Sequence, residues 1–425
     1  MAQYADLTQL DGLFKEIYAD QIENLIPDDA MLTRLIKYSD REQIGDGFHQ
    51  PVVLAQEGGM TYAASGSSAF ALKASVAMTM KDAVVDGYQM LLRSSIPYES
   101  AAKASTNKKA FVRTTELIVK NMLETMTKRL ELCLLYGQIG LGKTTTGTNQ
   151  GSTTFRVHIT TATWSTGIWS GMENSRVEFF EPSGSKVSGS TGIFTISAVD
   201  VFNKTIDVTG TNADIIELDA VINGSGEVLD IFPETAASGG AVYNEMAGLQ
   251  KIITNTGSLF GINATTYNLW QGNTSSSVGA ITVAKFYAAV ALATARGLRK
   301  KATSLLNPDV WTDLMAVLTG DRRYDGSYKR SKGDTGFETL ELTSSNGPVT
   351  VVPHLYCKIG DGFIFCDDDA KRIGATDITF KNPGTGDKFF RELSDNAGYE
   401  LRSYSHQALF IEKPAHTVYM SGITS

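Results

Sequence analysis

The run from Asn107 to Tyr136 constrains this chain more than any other stretch, because its pattern fits only a long, one-sided helix. Apolar residues fall at Val112, Val119, Leu123, Met126, Leu130 and Leu134, in steps of three, four or seven that wind one stripe along a helix. Phe111, Ile118, Met122 and Cys133 widen the stripe. The other side reads Arg113, Glu116, Lys120, Glu124, Lys128 and Glu131, with Glu116/Lys120 and Glu124/Lys128 in the favourable i,i+4 order. Ser105 or Thr106 suits the N-cap, and Gly137 suits the left-handed position past the end. Neither Gly nor Pro interrupts the run, so the predicted helix is about 45 Å long at 1.5 Å per residue. A rod of that length, wet along one side, suits a strut: the spine of an assembly subunit.

What precedes the spine lacks a core of its own. Asp6 to Leu25 is amphipathic, with Leu10, Phe14 and Ile17 on its apolar side; Pro27 and Asp28-Asp29 break it, and Met31 to Tyr38 resumes briefly. Two short helices with no local partner predict an arm lying on another part of the fold or on a neighbour. Residues 48–93 read as a long extended hairpin. Pro51 to Leu54 is a strand candidate, Gly58-Gly59 and Ala63 to Ala69 make a small-residue tip, and Leu72 to Met80 alternates. So soft a tip is marginal alone and predicts packing borrowed from a partner, although an ordinary edge hairpin satisfies the same strand statistics.

After the spine the composition changes. Thr144 to Thr154 holds only Thr, Gly, Asn, Gln and Ser up to Thr154, a linker composition. Strand signals follow at Phe155–Thr160, Arg176–Phe180, Ile193–Val199, Thr205–Val208 and Glu227–Ile231, predicting an inserted all-β unit that ends near Ser238-Gly239-Gly240. Helices return behind Thr282 as cap and behind Asn307-Pro308, a cap-plus-N1 pair. The last predicted strands are Val349–Val352, Phe363–Cys366, Tyr399–Tyr404 and Ala408–Glu412.

The totals exclude several classes. In 425 residues with a formal net charge of −8 there is room for two or three domains but no basic face to wrap nucleic acid. The three cysteines, Cys133, Cys357 and Cys366, fit a reducing compartment rather than a disulfide framework. No stretch is apolar enough to span a bilayer and no leader pattern opens the chain, so folding in a cytosol is expected.

One motif is formally sharp. Gly137 to Thr144, with Gly142 and Lys143, satisfies the P-loop pattern. A working P-loop needs a buried strand before it and a helix after it. Here a long helix precedes and a linker composition follows, so the match reads as a decoy, a helix stop and hinge, with no cofactor. His354, Cys357, Cys366 and Asp367 to Asp369 lack trusted zinc spacings and read as core cysteines beside a solvated acidic turn. No catalytic constellation is found, and no metal site is expected. Arg322, Arg323 and Tyr324 open a basic, Tyr-containing stretch that could touch phosphate but reads more simply as an exposed loop.

In its order of parts the chain resembles a tailed-bacteriophage major capsid protein of the Hong Kong 97 fold, with an inserted β-rich domain. The phrase Leu134-Leu135-Tyr136-Gly137-Gln138 closing the spine resembles that family, as do Leu306 to Trp311 and Glu400 to Tyr404. The resemblance implies an α+β fold: 1–45 an N-terminal arm, 46–93 the extended loop, 94–144 a peripheral domain with the spine, and 145–238 the insertion. It places 239–279 back in the peripheral domain, 280–375 in an axial domain, and 376–425 in the last peripheral strands. It implies no enzyme but a structural protein, self-assembling into hexamers and pentamers of an icosahedral phage head around double-stranded DNA without sequence-specific contact. The short arm implies a separate scaffolding protein; a portal is implied too, and room remains for a decoration protein. Assembly contacts would come from Leu10, Phe14 and Ile17, from Gly58, Gly59, Met60, Tyr62 and Phe70, and from Arg322, Arg323 and Tyr324. Some members cross-link through a loop lysine, and Lys73 is the lysine in the central part of this loop. The alternatives are a P-loop ATPase or another oligomeric virion or tail protein.

Overall fold

The computed structural model describes residues 30–39, 45, 47–66, 69–97, 108–240, 242–321, 340–344, 347–381, 390–393 and 397–424. The described residues open with one helical turn, α1 (Met31–Leu35), whose Leu32 is fully buried with the following Ile36. These residues pack on the spine and other distant parts of the same subunit, the first of the two placements expected for the arm.

β1 (Phe48–Ala55) and β2 (Thr79–Val85) form a two-stranded antiparallel ribbon, in register from Phe48 opposite Val85 to Val53 opposite Met80, with a bulge before Ala55 opposite Thr79. The alternating stretch from Leu72 becomes ladder only at Thr79. Before that the chain is joined by a single bridge between Gly58 and Val76. Alternation builds a sheet only where one face is buried, and here both sides of 72–78 are exposed. β3 (Tyr88–Pro97) then leaves the ribbon for another sheet.

The spine, α2 (Lys108–Tyr136), has 29 residues and is about 44 Å long. Met122, Met126, Leu130 and Leu134 of the stripe are buried, with Val119 and Leu123 partly so. Towards its C-terminal end the helix is enclosed nearly all round. Thr127, Leu132, Leu135 and Tyr136 are buried, and Glu131, expected on the wet side, has 0% exposure. Glu124 lies 4.0 Å from Lys120, whereas Lys128 donates to the Ser170 carbonyl at 2.7 Å. The left-handed residue past the end is Gln138 (φ 66°), not Gly137. Gly137 is needed for a different reason, since a Cβ there would collide with the Met246 carbonyl.

Next comes a closed barrel: β4 (Gly142–Gly151), β5 (Thr154–Ile159), β6 (Arg176–Phe180), β7 (Phe194–Asp200), β8 (Thr205–Thr209) and β9 (Asp230–Pro233), in the order β4-β5-β8-β7-β6-β9. Its interior is filled by Phe155, Val157, Phe179, Phe194, Ile196, Ile206, Val208 and Ile231, all fully buried. One helix, α3 (Asn212–Asp219), lies on it, capped by Thr211. The stretch expected to be a linker is β4 itself. Its threonines are good strand formers once partners exist on both edges, and barrel closure supplies them.

The remaining chain builds two larger sheets, besides three short two-stranded pairings. β10 (Asn273–Ser275), α4 (Val283–Ala295), β11 (Ala302–Leu306), α5 (Pro308–Asp321), β12 (Leu340–Ser344), β13 (Gly347–Pro353) and β14 (Asp361–Phe365) follow in turn. After β15 (Ala370–Thr379), β16 (Phe390–Glu392), β17 (Gly398–Ile411) and β18 (Val418–Ser421), a six-stranded sheet stands in the order β10-β18-β14-β11-β13-β12. Its central β11 and β14 are buried at every residue, as strands covered on both faces must be. Thr282 caps α4 by accepting from Lys285 N (3.3 Å), and Asn307 accepts from Asp309 N (2.9 Å) at the start of α5, as the sequence indicates. In the other sheet β17 pairs with β3, β15 and β16. The two strands expected at its place are one, because β3 pairs without a break across Tyr404 to Gln407.

Candidate assembly surfaces

The ribbon of β1 and β2 and the chain between them carry a line of apolar side chains that nothing among the described residues covers. Met60 is 72% exposed, Tyr62 82%, Phe70 52% and Leu72 81%, and Val53, Val76, Met78 and Met80 are exposed as well. Gly58 and Gly59 sit beside Val76 and Ser75, where Gly59 takes φ 86° and a Cβ would meet the Ala74 carbonyl. The expected loop contacts therefore lie together on one projecting segment. Leu72, Val76, Met78 and Met80 join them, legible in the sequence as the apolar side of the alternation opposite Lys73, Ser75 and Thr79. Lys73 is exposed and its N–H donates to Thr61 Oγ1 at 2.9 Å. Leu10, Phe14, Ile17, Arg322, Arg323 and Tyr324 lie outside the described residues.

Inside the subunit a buried carboxylate ties three distant segments together. Glu131 of α2 accepts from Leu32 N (2.6 Å), Thr33 N (3.1 Å) and Thr33 Oγ1 (2.5 Å), and its other face meets His354 Nε2 at 2.8 Å. Burial alone would push its pKa up; the hydrogen bonds from His354, Thr33 and Leu32 outweigh that and hold it below the usual range. No spacing in the sequence announces this cluster, since its members are 98 and 223 residues apart.

A second buried group closes the spine. Lys358 Nζ donates to the Gly140 carbonyl at 2.9 Å and stands 3.9 Å from the Tyr136 ring centroid, a cation–π contact. Burial pushes its pKa down to about 8, with Asp361 and Asp230 pulling the other way. Burial raises the pKa of Asp361, whose carboxylate accepts from Tyr419 Oη at 2.7 Å.

The P-loop residues lie in the reverse of a phosphate-binding context. Gly137 follows a helix, and Gly142, Lys143 and Thr144 run into a strand. The Lys143 ammonium is 3.1 Å from Asp230, and Thr144 Oγ1 accepts from Leu229 N at 2.9 Å, so both side chains serve the barrel. Cys357 and Cys366 are core residues. The acidic turn is less solvated than expected. Asp369 is 1% exposed and ringed by Lys300 (3.0 Å), His416 (3.0 Å) and Lys413 (3.7 Å), whose bonds and charges overcome burial and bring its pKa down to about 2.

No protein-family model matches this sequence, and no curated protein sequence matches it. Among solved structures the chain is similar to the capsid asymmetric unit of cyanophage A-1(L), at 12% identity over 99% of each chain and a TM-score of 0.51. The chain has the Hong Kong 97-type capsid fold. Weaker likenesses, on which nothing further rests, include the capsid of a native GTA particle (8% identity, 100% of each chain, TM-score 0.45). Another is the capsid of phage XM1 (8% identity, 99% of this chain and 100% of that one, TM-score 0.43). In this capsid fold the barrel stands as additional β-rich content between the spine and the central sheet.

Proposed function

We propose that this chain is a major capsid protein, the structural subunit of a phage head, assembling as hexamers and pentamers of an icosahedral shell around double-stranded DNA. The observation that carries this reading is the projecting ribbon, whose large apolar residues are exposed on a subunit that otherwise buries its core. Exposed apolar area concentrated on one segment marks a surface that another chain covers. Each Å2 removed from water there contributes about 25 cal/mol towards ordering the segment. The fold supports the same reading. Within it, 1–45 serves as the arm, 46–93 as the loop, 94–144 with 239–279 and 376–425 as the peripheral domain, 280–375 as the axial domain and 145–238 as the insertion. The work is structural rather than enzymatic. Assembly takes place in the host cytoplasm with a separate scaffolding protein and a portal, the shell leaves room for a decoration protein, and the DNA is held without sequence-specific contact. A helix-turn-strand order at Gly137 to Thr144 gives nothing to favour the ATPase alternative.

Deleting 58–70 tests the reading. The variant should keep the helix content of the wild type and fail to close shells, as seen by sedimentation and electron microscopy with the other proteins of the same source. A wild-type chain that stays monomeric under every such condition would overturn it.

A further inference from the structure

Strands β3, β16 and β17 gather arginines that lie far apart in the sequence. β17 runs between the other two in unbroken register, so residues directly opposite one another share a face of the sheet. Leu401 of β17, and Leu92 of β3 opposite Ser403, pack with Met122 of the spine. The alternate residues therefore look away from the spine. On that outward face stand Glu400 and Arg402 of β17, Arg93 opposite Arg402, and Arg391 of β16 opposite Glu400.

One carboxylate serves three guanidiniums here. Glu400 is 3% exposed, with Arg93 Nε 2.5 Å from its Oε2 and Arg402 Nη2 against its Oε1. Arg391 Nη2 and Arg402 Nε are buried and have no hydrogen-bond partner among the described residues. Native proteins seldom leave such donors without an acceptor. Arg93 and Arg402 also face each other across the ladder, a like-charge pair that costs stability. Along the same face run Ser95, Tyr404, Gln89 and His406, all able to donate to oxygen, with Leu91 among them; Gln89, Leu91 and Arg93 are exposed. A net charge of −8 rules out a basic wrapping surface but not this local surplus of two positive charges.

We infer that this face binds the phosphodiester backbone of a nucleic acid, with Arg93, Arg391 and Arg402 as its contacts. A second carboxylate would offer one edge, which Glu400 already supplies. A phosphate presents oxygens in several directions and accepts arginine forks from more than one side. A backbone repeats that group, and the row of hydroxyl, amide and imidazole donors along the strands suits a repeated anion. Contacts of this kind fix position and carry no sequence information. That the nucleic acid is the DNA inside a shell rests on the capsid reading above.

The test titrates the purified full-length chain, before assembly, against a short fluorescent DNA duplex over a range of salt. The logarithm of the affinity should fall with the logarithm of salt at a slope of about −2, and duplexes of unrelated sequence should bind alike. Arg93→Gln should lower the slope by about one and weaken binding about tenfold near 0.1 M salt. Glu400→Gln removes the carboxylate that competes for the arginines and should tighten binding several-fold, which a merely damaged subunit would not do. Arg176→Gln makes the same charge change at an exposed ion pair with Glu234 on the barrel and should leave the slope unchanged. Equal slopes for Arg93→Gln and wild type would overturn the inference. So would binding of inorganic phosphate without the duplex, or of polyglutamate in preference to it. Particle formation is scored separately by electron microscopy. Particles from a chain whose arginines do not hold the duplex leave the capsid reading standing. Duplex binding through this face by a chain that never forms particles would keep the site and sink that reading.

Discussion

Glu131 is the residue on which the most distant parts of the subunit converge. Its carboxylate, fully buried, holds Leu32, Thr33 and His354 against the spine. Removing one partner of such a buried set leaves the others unpaired, so Glu131→Ala should cost about 3–5 kcal/mol in denaturant unfolding. The pH dependence has a fixed sign. The folded pKa is lowered, so the stabilisation is fully present above the unfolded value of about 4.3 and is lost as pH falls through the folded value. The gap between wild type and Glu131→Ala should therefore shrink in acid. A gap that stays constant from pH 7 into strong acid would show that packing, not charge, makes the difference.

At the scale of an element, the spine was legible almost to the residue, because a stripe of period 3.6 and the absence of Gly and Pro are local facts. Its polar side was only half legible. Glu124 and Lys120 stay exposed, whereas Glu131 on the same side is enclosed by segments that no local pattern could bring there. Met126→Asp places an unpaired charge in the packed face and should unfold the subunit or shift its denaturation midpoint strongly. Glu124→Gln should change stability by no more than about 0.5 kcal/mol, as for an exposed helical pair. Equal tolerance of both, read by circular dichroism and urea titration, would mean the stripe does not pack. β4 shows the opposite failure. Its composition is that of a linker, and it becomes a strand only because β5 and β9 offer their edges to it.

Taken whole, the molecule joins a capsid-fold body to a barrel with its own interior. Trp164 and Trp169 stack at 6.1 Å beneath the barrel, and the bonds Ile359 N to Trp164 O (3.0 Å) and Ser165 Oγ to Leu355 O (2.8 Å) fasten it to the body. Residues 140–236 expressed alone should fold, with a dispersed strand-type spectrum and cooperative unfolding. A fragment beginning at 153 lacks β4 and should not, since β5 and β9 would keep open edges. A disordered 140–236 fragment would show that the body holds the barrel together.

The sequence by itself determined what neighbours along the chain can decide: the spine, the caps at Thr282 and Asn307, the barrel strands after Phe155, and a loop without its own core. Tertiary structure alone decided which polar groups are buried and which apolar ones are left out. Glu131 is enclosed, β4 is paired, and Phe202 and Met60 stand in solvent. The reason is physical. Helix and strand periods are written by residues a few positions apart, whereas burial depends on what the rest of the chain brings within reach. For Glu131 that partner lies 223 residues away.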